Sequence, residues 1–162
     1  MVSAVRQLVG KNNTIDSQRS ITIEWLEENN KMNSVSTGWT PKMLSVLRII
    51  TGFLFLWHGA QKLFNFPPAD AALEIPAFIK YGAGGLEFFG GILILIGLFT
   101  RWTAFVLSGF MAVAYFMAHG LNAFLPIVNG GELAVLYCFV FLYLFFAGGG
   151  PLSVDNMLSK KN

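Results

Sequence analysis

Residues 44–64 form an apolar run closing in Leu56-Trp57-His58-Gly59-Ala60-Gln61-Lys62-Leu63-Phe64, and this run limits what the chain can fold into. A helix rises ~1.5 Å per residue, so a run of this length matches the ~30 Å hydrocarbon core of a bilayer. Within it Arg48, Thr51, Phe55, His58 and Lys62 recur at steps of three and four, the spacing that stacks side chains on one helix face. A charge at mid-membrane costs at least ~2.5 kcal/mol on insertion scales, so such a face turns from lipid toward protein partners or a cavity. The rest of the chain has to supply that environment.

Composition agrees with a membrane setting. Of 162 residues, 54% are hydrophobic, 15% aromatic and only 12% charged, where about 25% charged is usual for a soluble domain. The net charge of +2 is too mild to argue for nucleic acid, and no basic cluster with interleaved aromatics occurs. Cys138 is the single cysteine, which excludes an intrachain disulfide, a CxxC redox pair and a cysteine-based zinc or iron–sulfur site; no metal site is expected.

Residues 1–42 carry five basic and four acidic residues and read as a polar, flexible cytoplasmic leader, with a short amphipathic turn around residues 20–30. Residues 43–153 form the membrane domain, with spans expected at about 44–64, 81–99, 102–120 and 132–147, and 154–162 form a tail. Pro67, Pro68 and Pro76 mark the first loop, Thr100-Arg101 a tight turn, and Gly148-Gly149-Gly150-Pro151 the end of the fourth helix. The glycines at 84, 85, 90, 91 and 97 predict close helix contact in the second span, because small residues let membrane helices approach. The leader, Arg101 and the Lys160-Lys161 tail fall on one side, which the positive-inside rule makes cytoplasmic. The expected fold is an all-α, multi-pass four-helix bundle in the plasma membrane, both termini cytoplasmic.

In that topology each span brings an ionisable group toward the same leaflet: His58 and Lys62, then Glu87, His119 and Glu132. Arg48 alone sits at the cytoplasmic end, as a structural polar residue with Asp155 as the candidate partner. Two similar hairpins emerge, His58-Gly59 with Gly84-Gly85-Leu86-Glu87 and His119-Gly120 with Gly130-Gly131-Glu132, which predicts both His/Glu sets facing one central cavity. The competing reading makes these groups helix glue, with Lys62 and His119 snorkelling to the interface; it is weakest for Glu87 and His58, which lie deeper.

The order Leu47-Arg48, Trp57-His58-Gly59-Ala60-Gln61-Lys62-Leu63, Glu87-Phe88-Phe89-Gly90-Gly91, Gly97-Leu98-Phe99-Thr100-Arg101, His119-Gly120 and Asn129-Gly130-Gly131-Glu132-Leu133-Ala134 resembles the DoxX family of small four-helix membrane proteins, over residues 43–153. The resemblance extends to the membrane subunit of a thiosulfate:quinone oxidoreductase, and relatives are described as membrane partners of a thiosulfate sulfurtransferase and a superoxide dismutase. It implies a quinone-binding membrane subunit of a redox or sulfur-stress complex. A shared fold does not carry a reaction with it.

For a quinone, Glu87 and His58 are the candidate proton relay, Lys62 and His119 donors to the carbonyls, Glu132 a second relay group, and Tyr115 and Phe88 ring-contacting walls. The sequence shows no flavin site and no sulfur chemistry, so a protein partner would supply the electrons and the subunit would not act alone. The alternative from another class is a non-catalytic scaffold or small-molecule transporter using the same cavity. A b-type haem between His58 and His119 is the least favoured reading.

Overall fold

The computed structural model describes residues 2–68, 76–120, 123 and 125–161, without the side chains of 2–18 and 33–36. Helical backbone runs through α1 (Val2–Phe64), α2 (Gly84–Ile96), α3 (Thr100–Tyr115), α4 (Pro126–Asn129), α5 (Glu132–Ala147) and α6 (Val154–Ser159). Stretches wound as π-helix precede α2 at Ile79–Ala83 and follow α3 at Phe116–Gly120. No strand occurs among the described residues.

The chain divides into two units at Thr40–Pro41. In the first, the stretch expected to be a flexible leader has helical backbone, and its side chains from 19 to 32 are exposed apart from half-buried Asn29. Asn29 donates from Nδ2 to the Trp25 carbonyl one turn back (2.9 Å).

In the second unit, residues 41–64 of α1 lie antiparallel to α2 at a separation set by glycine. A methyl placed on Gly52 would sit 2.5 Å from the Leu95 amide nitrogen and 2.8 Å from the Gly91 carbonyl. One on Gly59 would overlap the Phe88 amide and lie 2.7 Å from the Gly84 carbonyl, and one on Gly91 would strike Leu56. Gly52 and Gly59, like Gly84 and Gly91, are two turns apart, so each helix offers one bare stripe to the other. Gly90 faces α3 instead, where it meets Leu107, and Gly85 touches nothing. Gly59→Ala is therefore expected to cost ~2 kcal/mol or more by forcing backbones apart, while Gly85→Ala is neutral or slightly stabilising. Thermal unfolding of the two variants in mild detergent checks this, and equal melting temperatures would refute it.

The helix α5 packs along α3, with Phe105 against Phe145 (5.3 Å between ring centres) and Ser108 Oγ donating to the Cys138 carbonyl (2.9 Å). The shared core comprises Phe55, Ile94, Ala104, Leu107, Met111, Tyr115, Ala134, Tyr137, Phe141 and Leu144. Outward faces are equally apolar: Phe53, Phe89, Phe105, Phe139 and Phe146 are all exposed. In water so much exposed apolar surface is a liability, whereas in lipid it is the ordinary exterior.

Three helical stretches are long and apolar enough to cross a membrane, Arg19–Phe64, Ile79–Ile96 and Thr100–Gly120; the apolar helix Glu132–Ala147 is shorter, at 16 residues. The turn between α2 and α3 lies at residues 97–99 rather than at Thr100-Arg101, which already belong to α3. The reason is Gly97, whose left-handed φ of 72° ends α2 while its N–H bonds back to Leu93 and Ile94.

Arg48 fixes the end of the unit nearest this turn. It is fully buried, and its guanidinium donates to four carbonyls: Nη1 to Ile94 and Leu95 (2.5 Å each), Nη2 to Leu152 (2.7 Å) and Nε to Gly149 (2.8 Å). These are the closing carbonyls of α2 and the loop after α5, where a helix end carries partial negative charge. Asp155, the expected partner of Arg48, makes no ion pair with it in the structure; its carboxylate accepts from the Phe99 and Thr100 amides (2.8 Å each) and caps α3. Arg101 donates to the Phe145 and Phe146 carbonyls at the end of α5 (2.8 and 2.7 Å). Cations thus sit on helix C-termini and the anion on a helix N-terminus.

Candidate functional site

At the opposite end the helices enclose a cavity of about 540 Å³. Helical spacing supplies its walls: Phe55, His58 and Lys62 from α1; Ile79, Ala83 and Glu87 from the π-wound turn and α2; Phe110, Ala114, Met117 and His119 from α3 and its extension; Ala134 and Tyr137 from α5. Most of this lining is apolar, and the polar groups are few. That is the usual make-up of a small-molecule site.

Lys62 and Glu87 form an ion pair, Nζ to Oε2 at 2.5 Å, with the carboxylate side chain 8% exposed and the lysine 25%. Glu87 owes its inward position to the glycine stripe, since Gly84, Glu87 and Gly91 share the buried face of α2. Lys62 comes from the last turn of α1, one turn beyond His58. Because the pair neutralises itself, the cavity carries no net charge from it. An ammonium has three protons, and the one given to Glu87 leaves others for a bound acceptor. His58 is half-buried and meets Tyr137 edge-on, 6.0 Å between ring centres.

His119 closes the far rim. Its Nδ1 lies 3.0 Å from the Asn129 carbonyl, and a carbonyl only accepts, so Nδ1 holds a proton and Nε2 is the acceptor of the neutral ring. Asn129 binds the rim together: Nδ2 donates to the Tyr115 hydroxyl (3.1 Å) and the Ala123 carbonyl (2.7 Å), and Oδ1 accepts from the Gly131 amide (2.8 Å).

The structure therefore brings His58, Lys62, Glu87 and His119 to one cavity, and both histidines of the paired hairpins face it. Tyr115 is buried behind the wall as a support for Asn129. Phe88 does not line the cavity: it packs against Phe64 (5.3 Å) and Phe89 (5.5 Å). Glu132 stands exposed at the start of α5 and is not part of the lining. The face it shares with Leu136, Phe139 and Tyr143, the most polar of that helix, is the exposed one, and Ala134, Tyr137, Phe141 and Leu144 are buried instead. Arg48 belongs to the other end. Tyr137 was not legible as a wall residue, although its place three after Ala134 and four before Phe141 was a signal for the packed face. Among the described residues no group of three or more His, Cys, Asp or Glu is placed to hold a metal ion.

Comparison with known proteins adds a family. The model of the DoxX family matches residues 43–120. An uncharacterized protein of Haemophilus influenzae is 43% identical over 130 residues, covering 76% of this chain and 96% of that protein. "Inner membrane protein YqjF" of Escherichia coli is 32% identical over 128 residues, 72% of this chain and 92% of the relative. "Putative oxidoreductase CatD" of Bacillus subtilis is 27% identical over 118 residues, 71% and 86% respectively. No solved structure is a significant match.

Proposed function

The chain belongs to the DoxX family, and from that premise we propose that it is a four-span plasma-membrane protein, both termini cytoplasmic, that binds a quinone as the membrane subunit of a redox or sulfur-stress complex. The observation that carries this reading is the apolar cavity of about 540 Å³ into which Lys62, Glu87, His58 and His119 converge. The names of two relatives, an inner membrane protein and an oxidoreductase marked putative, point the same way. As the fourth span, α5 would rise ~24 Å, enough with flanking residues snorkelling.

The donor set fits a quinone. Such a group supplies two-electron, two-proton chemistry when bound, and needs hydrogen bonds at its oxygens within an apolar slot. Lys62 offers a charged donor; His119, expected as a second donor, gives its Nδ1 proton to the Asn129 carbonyl and so offers Nε2 as an acceptor for a hydroxyl hydrogen instead. Glu87 and His58, both on the cavity wall, are the groups assigned to the proton relay. Electrons would come from a partner protein.

The test is to purify the full chain in mild detergent, extract bound small molecules for mass spectrometry, and take oxidised and reduced absorption spectra. A near-stoichiometric quinone that is lost in His58→Ala while the melting temperature holds is the expected result. A haem band would replace the reading with a histidine-ligated haem. Neither chromophore nor quinone would move it to a non-catalytic scaffold or transporter.

A further inference from the structure

We propose that the cavity fills sideways from the bilayer, through the cleft between residues 78–83 and 113–117, so that its occupant is an uncharged, membrane-dissolved lipophile with a carbonyl or hydroxyl head. The proposal rests on the cavity being the quinone-binding site and adds the route by which the ligand reaches it.

Three observations carry it. The cleft has two apolar edges: Phe78, Ile79 and Ala83 on one side, and Phe110, Val113 and Ala114 of α3 with Met117 of its π-wound extension on the other. Phe78, Val113 and Met117 line the cavity and are also 70%, 56% and 65% exposed, so they stand at its mouth. Val113 and Met117 lie inside Thr100–Gly120 and Ile79 begins Ile79–Ile96, stretches long and apolar enough to span a membrane. Their outer surface is therefore lipid, and the mouth opens into it.

The interior then selects the occupant. The ion pair between Lys62 and Glu87 is already neutral, so an ionic ligand would have to lose its hydration without gaining a free counter-charge. An uncharged head loses less and can still accept from Lys62 or donate to His119 Nε2. At the rim, Asn129 ties His119, Tyr115 and Ala123 together. The α2–α3 contact that closes the cleft lies deeper, where Leu107 fills the space beside Gly90.

The full chain in phosphatidylethanolamine/phosphatidylglycerol vesicles is exposed to an azido-substituted long-tailed quinone delivered in donor vesicles, and photolabelled at timed intervals. Met117→Trp is expected to slow labelling by the long-tailed probe about tenfold, with labelling by a tailless azidoquinone supplied from water slowed less, and Met117→Ala to leave the long-tailed rate as fast or faster, because a bulky side chain at the mouth obstructs the occupant that has to pass it. Met117 is an exposed side chain, so neither change threatens folding. Equal labelling rates in all three forms, with saturation in each, would overturn the lateral route and leave the cavity reading intact. A wild-type protein that does not label, or a Glu87→Ala variant that labels as wild type does, would overturn the quinone site and the route with it. A tailless azidoquinone supplied from water that labels Met117→Trp at the wild-type rate, while the tailed form also shows no slowing, would place the entrance at the aqueous end.

Discussion

Arg48→Ala is expected to be the most damaging single substitution in the membrane domain, lowering stability by ~4 kcal/mol or more. Its guanidinium satisfies four carbonyls at the ends of α2 and α5, and alanine withdraws that donor from all four, although Ile94 still accepts from the Gly97 amide. A hydrogen bond to a charged group contributes ~1.5–3 kcal/mol, and an orphaned buried acceptor costs ~1–3 kcal/mol in turn. The planar fork is what reaches four acceptors at once; an ammonium presents three protons from one point, so Arg48→Lys should recover only part of the loss. Thermal unfolding in detergent, with protein abundance in membranes as a second readout, checks the order wild type, lysine, alanine. An alanine variant that melts with the wild type would show that water, rather than Arg48, serves those carbonyls.

The second large effect concerns the Lys62–Glu87 pair and separates its structural from its functional share. Lys62→Ala should cost ~3 kcal/mol or more, because it leaves a buried carboxylate without its partner. Glu87→Ala should cost less, ~1 kcal/mol, since Lys62 is a quarter exposed and can turn its ammonium outward. Replacing both at once, Lys62→Met with Glu87→Leu, should return stability to within ~1 kcal/mol of wild type, as apolar residues of similar volume commonly do for buried ion pairs. Quinone binding should nonetheless fall at least about tenfold in the double variant, the loss expected for one charge-assisted hydrogen bond. Melting temperatures and photolabelling of wild type, Lys62→Met, Glu87→Leu and the double variant complete the cycle. A double variant that is stable and still binds normally would make the pair helix glue and nothing more.

Much of this arrangement was legible from residue spacing. The steps of three and four that align Arg48, Thr51, Phe55, His58 and Lys62 put Phe55, His58 and Lys62 on the cavity wall and bury Arg48 and Thr51. Gly84 and Gly91 announced a close helix contact, but not its partner: Gly52 and Gly59 were readable only as helix residues until Leu95 and Phe88 lay against them. Glu132 shows the opposite case. One residue cannot reveal how far its helix is rotated, and α5, apolar on every side, had no amphipathic bias to fix the rotation. Packing chose Ala134, Tyr137, Phe141 and Leu144 for the interior and left Glu132 and Tyr143 outside.

The amino-acid sequence by itself determined the membrane setting, the helical periods, the family and the presence of a polar set within apolar helices, because these depend on hydropathy, composition and local spacing. Only the tertiary structure decided the partners. Arg48 answers to carbonyls and not to Asp155, Asp155 caps a helix that starts 55 residues earlier, and Asn129 locks His119 and Tyr115. Each of these depends on the distance between helix ends, which is set by how closely glycine stripes let backbones approach, and no local pattern encodes that distance.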